Sequence, residues 1–256
     1  KIFLENIDLP VVPFSSINSI DVIDNLNENL FPGILKTSRF GYDGKGQAHV
    51  NNKIDLLSAF KELGKVDCIF EKKIMLDKEI SLVLIRDSNG EIASYPLAEN
   101  IHEKGILKTS YMPCNLTKNL SLTALNYASR IANKMNYCGV MCVEFFLSNG
   151  KLFVNEIAPR PHNSAHQTIE ACDCSQFEQQ VRVCANLPIG STKINGNAKL
   201  TNLLGDLWFT NSDEIPTNPD WNQYKKEGIT IHLYGKKEAK LGRKMGHIVE
   251  FTKFNN

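Results

Sequence analysis

Two glutamates lie in neighbouring apolar segments of this chain, with a short turn between them. Glu144 lies in VMCVEFFL and Glu156 in KLFVNEIAPRPHN, on either side of Ser148-Asn149-Gly150. Asn-Gly between apolar runs predicts a hairpin, which would bring the two acids together. Like charges repel, and burial adds to the cost unless a cation lies between them. Because Mg²⁺ is usually held by one or two carboxylates and by substrate phosphates, the pair predicts a metal–nucleotide site; a buried ion pair with an arginine is the alternative.

The composition is that of an ordinary globular protein and narrows the possible functions. The chain has 256 residues, of which 42% are hydrophobic and 22% charged, and a net charge of +1. Nothing in this balance favours nucleic acid or an anionic membrane as a partner. We find no apolar run of about 18 residues and no signal-peptide core, so no spanning helix is expected. The seven cysteines are odd in number and include no C-x-x-C, which favours reduced, buried thiols and a cytoplasmic location.

The apolar periodicity predicts an α+β chain with several antiparallel strand pairs. Helices are predicted over 1–9, 19–30, 53–63, 120–135 and 176–185. Strands are predicted at 11–14, 34–36, 68–72, 80–86 and 91–96, in the acid hairpin, and over much of 198–252. The helix over 120–135 has Leu122, Leu125, Ala128 and Ala132 on one stripe. Since Lys1 begins in mid-helix without an N-cap, we expect the natural chain to begin earlier.

A lysine and a glycine-rich loop follow one another in the first part of the chain. Lys36 ends an apolar strand, where its ammonium could bind phosphate, although a surface lysine is the more frequent explanation for it alone. The loop that follows is Gly41-Tyr42-Asp43-Gly44-Lys45-Gly46-Gln47. Its glycines let backbone N–H groups approach phosphate, but its spacing matches neither a Walker A loop nor a dinucleotide-binding fingerprint. Together, lysine and loop favour a lid over nucleotide phosphates.

Charged residues after the next strand could hold a nucleoside. The segment Glu71-Lys72-Lys73-Ile74 could bind adenine through its backbone, and Glu79 could accept hydrogen bonds from ribose hydroxyls. A charged hairpin is the more frequent explanation when these residues are taken alone. His102 lies in a predicted loop, where a histidine is more often merely solvated.

Polar residues are dense directly after Glu156 and again near the end of the chain. Two prolines stiffen the segment that presents Arg160, His162 and Asn163, and arginine suits bidentate binding of bicarbonate, carboxylate or phosphate. The histidines and cysteines that follow do not match a zinc motif. Two later basic clusters could clamp a sugar phosphate or could form a solvated sheet edge; they are His232-Leu233-Tyr234-Gly235-Lys236 and Gly242-Arg243-Lys244-Met245-Gly246-His247.

These motifs together resemble the ATP-grasp enzymes, and most specifically the 5-(carboxyamino)imidazole ribonucleotide synthases, the ATPase subunits of phosphoribosylaminoimidazole carboxylase. The resemblance covers essentially the whole chain and rests mainly on the 41–47 loop, on Asn155-Glu156-Ile157-Ala158-Pro159-Arg160-Pro161-His162-Asn163-Ser164, and on the 242–247 cluster. It implies an ATP-grasp fold, in which two α+β lobes hold ATP, followed by a small β-rich domain. The implied division is a linker over 1–16, a lid subdomain over 17–75, a core lobe over 76–192 and a C-terminal β-rich domain over 193–256.

The resemblance also implies a reaction, with ATP and Mg²⁺ as cofactors. ATP phosphorylates bicarbonate to carboxyphosphate, which carboxylates the amine of 5-aminoimidazole ribonucleotide in de novo purine biosynthesis. Glu144 and Glu156 are the implied metal ligands. The implied nucleotide contacts are Lys36, Gly41, Tyr42, Asp43, Gly44, Lys45, Gly46, Gln47, Glu71, Lys72, Lys73, Ile74, Glu79, His102, Asn155 and Glu156. The implied catalytic residues are Arg160, which steadies bicarbonate, and Tyr42, Asp43 and Lys244, which face the ribonucleotide together with Lys45.

Two departures from the family pattern keep alternatives open. The family has an N-terminal lobe that supplies a further basic ATP contact, and none of the 256 residues matches that lobe; Ala158 stands where some related enzymes carry asparagine. A nucleotide-binding module without turnover is therefore one alternative. Another ATP-grasp ligase, acting on formate or an amino acid, is a second, against which the 243–247 cluster argues. A homodimer is compatible with the family; neither nucleic acid nor membrane is an expected partner.

Overall fold

The computed structural model describes residues 1–41, 44–209 and 216–254, whose strands form two antiparallel sheets. The small sheet has the strand order β1-β4-β2-β3. Its strands are β1 (Phe14–Ile17), β2 (Gly33–Thr37), β3 (Gln47–Val50) and β4 (Cys68–Lys72). Helices α2 (Ile20–Asp24) and α3 (Lys53–Glu62) pack on it around a core that includes Leu35, Phe60 and Phe70. The predicted strand at 11–14 was wrong, since β1 begins only at Phe14.

Helix α3 confirms its prediction, whereas the helix predicted over 19–30 is much shorter. The Asn52 side chain accepts a hydrogen bond from the Asp55 N–H at 3.0 Å, which caps α3. Helix α2 ends at Asp24, and a 3₁₀ turn follows at Glu28–Leu30. Asparagine side chains explain the early end: Asn25 donates to the Asp21 carbonyl, and Asn27 caps the 3₁₀ turn. Such local bonds compete with a continuous helix.

The large sheet has nine strands in the described part of the chain. Its main path is β10-β9-β5-β7-β8-β11-β13-β12, and β6 pairs with β5. The bounds are β5 (Lys78–Arg86), β6 (Ile92–Ser94), β7 (Ala98–Glu103), β8 (Ile106–Met112), β9 (Gly139–Ser148), β10 (Lys151–Ala158), β11 (Gly196–Leu204), β12 (Ile229–Leu233) and β13 (Lys244–Lys253). The strands of the predicted C-terminal domain therefore continue the sheet of the core lobe through the β8–β11 pair.

The two faces of the large sheet differ in character. Helices α1 (Ile2–Glu5) and α4 (Lys118–Lys134) lie against a face whose apolar core includes Met141, Val143 and Phe145. Helices α5 (Thr168–Ala171) and α6 (Gln176–Cys184) lie on the other face, over Val140 and Cys142. Because strand side chains alternate, Glu144 belongs to this second face.

Helix α4 confirms the helix predicted over 120–135, but its buried stripe differs from the predicted one. Leu122 is 55% exposed, and the fully buried residues are Ala124, Ala128, Ile131 and Ala132. Small residues at these positions let the helix backbone approach the sheet closely. The apolar stripe is therefore rotated away from Leu122.

Strands β7 and β8 were not predicted, and they correct the placement of His102. They form a hairpin whose two-residue turn, Lys104-Gly105, has φ of 51° and 78°. The sequence pattern does not indicate these strands, because the polar residues Asn100, Thr109 and Ser110 occupy buried positions where apolar ones are expected. His102 lies on β7, not in a loop.

All seven cysteines are free thiols, which confirms that part of the prediction. Four of them (Cys68, Cys142, Cys172 and Cys174) are buried, while Cys138 and Cys184 are exposed. Across the described residues we find no helix whose length and apolar character would let it span a bilayer.

Candidate active site

The acid hairpin forms as predicted, and a β-bulge sets its register. Asn149 and Gly150 have φ of 48° and 71°, which closes a two-residue turn between β9 and β10. The register shifts between Val154 and Glu156, so Glu156, and not Asn155, lies directly opposite Glu144. Bulges commonly re-aim side chains in this way beside functional sites. Both carboxylates therefore lie side by side on the second face of the sheet.

The electrostatics of this pair fit a hard divalent cation. Burial, and then the charge of Glu156, raise the pKa of Glu144 to about 7. A cation between the two carboxylates would remove this repulsion, and Mg²⁺ prefers carboxylate oxygens. No group of three or more His, Cys, Asp or Glu side chains suited to a metal occurs within residues 1–41, 44–209 and 216–254. Two carboxylates alone match the way magnesium is shared between a protein and phosphate groups.

The next strand continues a polar row across the same face. Ser81 on β5 is the register partner of Glu144, and Glu79 lies two residues away along β5. Nδ1 of His102 lies 3.0 Å from Oε2 of Glu79. Burial acts to lower the pKa of His102, but the hydrogen bond and charge of Glu79 outweigh it and the pKa is raised. The structure thus brings the predicted residues Glu79 and His102 together beside the acid pair.

The segment after β10 folds back over the acids. His162 Nε2 lies 3.4 Å from Glu144 Oε1. Burial, with the charges of Arg160 and Lys244, lowers the pKa of His162 to about 4. Arg160 is exposed and donates from Nη1 to the Pro161 carbonyl at 2.9 Å. Arg160 is therefore at the open side of the site, while the His162 ring covers Glu144.

A second charged group connects the two sheets. Lys36 on β2 lies 2.9 Å from Glu71 Oε2 on β4, and Glu71 is only 5% exposed. Lys1 approaches the other oxygen of Glu71 at 3.6 Å and also donates to the carbonyls of Val154 and Asn155 on β10. Burial lowers the pKa of Lys1, against the effect of Glu71. Lys1 was not anticipated, since nothing in its sequence context distinguishes it from a surface lysine.

The backbone of the predicted adenine segment is partly engaged already. The Lys72 N–H donates to the Pro13 carbonyl at 2.8 Å, and the Lys73 N–H donates to the Pro32 carbonyl at 2.9 Å. Within this segment, the Ile74 N–H and the backbone carbonyl groups are therefore the groups that could form hydrogen bonds to an adenine base.

The glycine-rich loop lies between β2 and β3. Tyr42 and Asp43 lie outside the described residues. Gly44 and Gly46 have φ of 76° and 72°, a region that favours glycine. A Cβ on Gly44 would lie 2.9 Å from the Lys104 carbonyl oxygen in the β7–β8 turn, so the loop lies against the large sheet. Lys45 is exposed, and Gln47 pairs with Lys36.

The C-terminal strands bring further groups to the site. Lys244 begins β13, and its charge acts on three groups of the site, so it lies near Glu144. It counters the rise in the pKa of His102 and of Glu144 and adds to the burial that lowers the pKa of His162. A cluster of aromatic and histidine side chains lies beyond Lys244. The sequence did not predict it, because its members are widely separated along the chain. Tyr234 OH lies 2.8 Å from His247 Nδ1 and 3.2 Å from His166 Nδ1.

This cluster attaches β12 and β13 to the segment after β10. His232 stacks on His247 with ring centroids 4.6 Å apart, and its Nε2 lies 2.6 Å from Glu170 Oε1. Burial is the main cause that lowers the pKa of His166 to about 4 and that of His247 to about 3. Both rings are therefore neutral at ordinary pH.

Comparisons with known proteins identify the family to which this chain is similar. The model of the ATP-grasp domain matches residues 2–177, and that of the phosphoribosylaminoimidazole carboxylase C-terminal domain matches 198–253. The N5-carboxyaminoimidazole ribonucleotide synthase of Bacillus subtilis (strain 168) is 39% identical over 240 residues, which are 93% of this chain and 61% of that protein. The chain thus spans less than two thirds of the length of this relative.

Solved structures give the same result. The N5-carboxyaminoimidazole synthetase of Staphylococcus aureus complexed with ADP superposes with a TM-score of 0.87 at 36% identity, covering 98% of this chain and 66% of that one. The N5-carboxyaminoimidazole synthase of Aspergillus clavatus, in complex with ADP and 5-aminoimidazole ribonucleotide, gives a TM-score of 0.84 at 28% identity, covering 98% and 66%.

Proposed function

The chain belongs to the ATP-grasp family, and we propose that it forms the ATP-binding and carboxylating part of an N5-carboxyaminoimidazole ribonucleotide synthase. The observation that carries the proposal is the pair Glu144 and Glu156, two carboxylates in direct register on a partly buried face. A cation would relieve the repulsion between the two carboxylates, and Mg²⁺ is commonly shared between protein carboxylates and substrate phosphates. The match of the C-terminal segment to a carboxylase domain, and the relatives named above, support the choice of substrate.

The proposed reaction has two steps. Bicarbonate oxygen attacks the γ-phosphorus of ATP, which yields carboxyphosphate and ADP. The exocyclic amine of 5-aminoimidazole ribonucleotide then attacks the carbonyl carbon, phosphate leaves, and a proton is lost from the nitrogen of the new carbamate. Phosphoryl transfer of this kind depends mainly on positioning and charge neutralisation.

The described residues provide that positioning in our proposal. Glu144 and Glu156 hold Mg²⁺, which when bound would neutralise phosphate charge. Lys36, fixed by Glu71, contacts phosphate oxygens, while the backbone of 71–74 borders adenine and Glu79, oriented by His102, accepts from the ribose. Arg160, at the open side, binds bicarbonate. Lys244, whose charge acts on Glu144, faces the second substrate.

The glycine-rich loop is the proposed lid. Its position against the β7–β8 turn would separate the phosphates from bulk water, which matters because carboxyphosphate hydrolyses readily. Tyr42, Asp43 and Lys45 are proposed to meet the ribonucleotide from this loop. Seven free thiols support a reducing compartment, and we propose the cytoplasm.

The test is ATP turnover by the complete protein. We expect ADP release to require bicarbonate and to be strongly stimulated by 5-aminoimidazole ribonucleotide, and Glu156→Gln to abolish that stimulation. Glu250→Gln, on the exposed side of β13, is the matched control and should retain activity. Absence of any stimulation by the ribonucleotide would refute the proposal; stimulation by formate or an amino acid instead would identify another ligase.

A nucleotide-binding module without turnover remains the second candidate, because the chain spans 61% of its Bacillus subtilis relative. Calorimetric titration of residues 1–256 with magnesium-ATP, followed by the same turnover assay, separates the two. Binding without ADP release from this segment, together with turnover by the complete protein, would assign part of the catalytic machinery to the remaining length.

A further inference from the structure

Two buried serine hydroxyls lie directly beside the acid pair. Ser81 is the register partner of Glu144, so their side chains share one face of the sheet. Ser164 lies above it in the 3₁₀ turn Asn163–Ala165. The two Oγ atoms are 2.7 Å apart, and the residues are 2% and 0% exposed. Water cannot supply an alternative partner there, so one hydroxyl must donate to the other in a defined direction.

The direction follows from the contacts of His162. Its Nδ1 lies 2.8 Å from Ser164 Oγ and also accepts from the Ser164 backbone N–H at 3.3 Å. A backbone N–H only donates, so Nδ1 carries a lone pair, and the Ser164 hydroxyl donates to it as well. Ser164 Oγ must then accept the proton of Ser81. The sulfur of Cys142, which also interacts with Ser164, is only a weak hydrogen-bond acceptor and does not displace the imidazole nitrogen as the acceptor of the Ser164 proton.

The other ring nitrogen faces the candidate metal ligand. With a lone pair on Nδ1, the ring proton of His162 is on Nε2, 3.4 Å from Glu144 Oε1. This tautomer presents an N–H to the carboxylate, whereas the other would present a lone pair to a negative oxygen. Hydrogen-bonded groups behind a metal ligand commonly fix its orientation in this way.

The backbone around His162 is held independently. Gln176 accepts from the His162 N–H at 2.8 Å and donates to its carbonyl at 2.7 Å. The Ser164 carbonyl accepts from Ser110 Oγ at 3.0 Å and from Gln167 Nε2 at 2.9 Å. The ring therefore cannot move away from Glu144 without breaking buried hydrogen bonds.

We propose that Ser81 and Ser164 are positioning residues that fix His162 in its Nε2–H tautomer, so that His162 holds one oxygen of Glu144 and leaves the other directed at a divalent cation. The proposal rests on the proposed function in so far as Glu144 binds that cation. In this chain of hydrogen bonds Ser81 donates to Ser164, Ser164 donates to His162 Nδ1, and His162 Nε2–H donates to Glu144.

The first test reads the tautomer in the complete protein without metal. We expect ¹⁵N NMR of histidine-labelled protein to show a non-protonated Nδ1 and a protonated Nε2 for His162, assigned by loss of the signal in His162→Asn. Ser164→Ala removes the shorter, 2.8 Å contact to Nδ1 and leaves only the backbone N–H at 3.3 Å, so it should shift His162 towards a mixture of tautomers. Ser81→Ala should do so less, because it acts one bond further away. A protonated Nδ1 in the unmodified protein overturns the proposal, as does a tautomer unchanged in both variants.

The second test measures metal affinity with Mn²⁺ by electron paramagnetic resonance. Ser164→Ala should weaken binding by about 10-fold, the lower end of the effect of removing such supporting groups. Ser148→Ala is the matched control, since Ser148 is a buried serine at the end of β9 and should leave both readouts unchanged. Equal affinity in Ser164→Ala and the unmodified protein would refute the positioning role.

The two tests also separate this inference from the proposed function. If Mn²⁺ does not bind, or if Glu144→Gln leaves its binding unchanged, the metal assignment fails while the tautomer is still measurable. If Mn²⁺ binds through Glu144 and only the serine variants have no effect, the proposed function stands and the positioning role falls.

Discussion

Two glutamates, one in each sheet, have opposite electrostatic surroundings; Glu71 is buried and Glu144 is partly buried. Glu71 in the small sheet lies 2.9 Å from Lys36 and 3.6 Å from Lys1. Glu144 in the large sheet lies opposite another carboxylate, and burial together with Glu156 raises its pKa to about 7. The chain compensates the first acid with its own cations and sets the second beside a like charge.

The contrast assigns different roles to the two acids. Glu71 shares its carboxylate between two lysines and thereby fixes Lys36, the proposed phosphate contact. Glu144 carries a disfavoured charge that an added cation would relieve, which is the arrangement expected of a ligand site and not of a structural ion pair. Removing the charge should therefore have opposite effects on stability at the two positions.

The largest effect is expected for Glu71→Gln. Removing one partner of a buried ion pair leaves the other charge uncompensated and typically costs about 3–5 kcal/mol. Here two lysines would face each other, so we expect a loss of about 3 kcal/mol or more in the free energy of unfolding, measured by urea titration with circular dichroism. Glu62→Gln at the exposed end of α3 is the control. A loss below about 1 kcal/mol, typical of a surface pair, would contradict the role of Glu71.

In the absence of metal, Glu144→Gln is expected to raise the free energy of unfolding, the opposite of the effect of Glu71→Gln. A folded-state pKa of about 7, against a usual value of 4.5, disfavours the ionised side chain, which corresponds to about 3 kcal/mol above pH 7. The variant should therefore be more stable than the unmodified protein at about pH 8, although inactive. As pH falls through 7 towards 4.5 the natural glutamate becomes protonated in the folded state, and the advantage should disappear. A destabilised variant at about pH 8 would show that partners within the protein, such as the His162 Nε2–H, stabilise the Glu144 carboxylate by more than burial and Glu156 disfavour it.

The sequence predicted the acid pair because its signals are local. The Asn149-Gly150 turn and the flanking apolar strands lie within one hairpin, so spacing alone brings Glu144 and Glu156 together. The bulge at Asn155 is not encoded in that pattern, yet without it Asn155 would oppose Glu144. A hairpin prediction therefore found the right residues without finding the reason they meet.

The pairing of Glu71 with its two lysines could not be predicted in the same way. Glu71 depends on Lys1 and Lys36, which are 70 and 35 positions away, and a charge pair at such separation leaves no periodic signal. The same reason hid the His166, His232 and His247 cluster. Strands β7 and β8 escaped prediction for a different reason: buried Asn100 and Ser110 belong to the polar network beneath the site, and they interrupt the apolar alternation.

Binding of Mg²⁺ should be linked to proton release at Glu144. Because the pKa of Glu144 is raised to about 7, a cation must displace its proton at lower pH. Affinity should rise by up to about 10-fold per pH unit below pH 7 and level off above it. Calorimetry in buffers of different ionisation enthalpy measures the released proton directly. The same titration of Glu144→Gln should show no release; a proton still released there would assign the linkage to another group.

The smallest expected loss of stability is that of Lys1→Met, which should differ from Lys36→Met, the other lysine paired with Glu71. Lys36 lies closer to the carboxylate than Lys1, at 2.9 Å against 3.6 Å, but Lys1 also ties it to the β10 carbonyls. In the complete protein, Lys1→Met should cost about 1 kcal/mol, because Glu71 keeps its nearer partner and Lys1 itself is released from an environment that disfavours its charge. Lys36→Met should cost more and should also weaken ATP binding. If Lys1→Met weakens ATP binding as much as Lys36→Met, then Lys1 takes part in holding the nucleotide site itself, and the compensated acid and the metal-binding acid form one electrostatic unit across the two sheets.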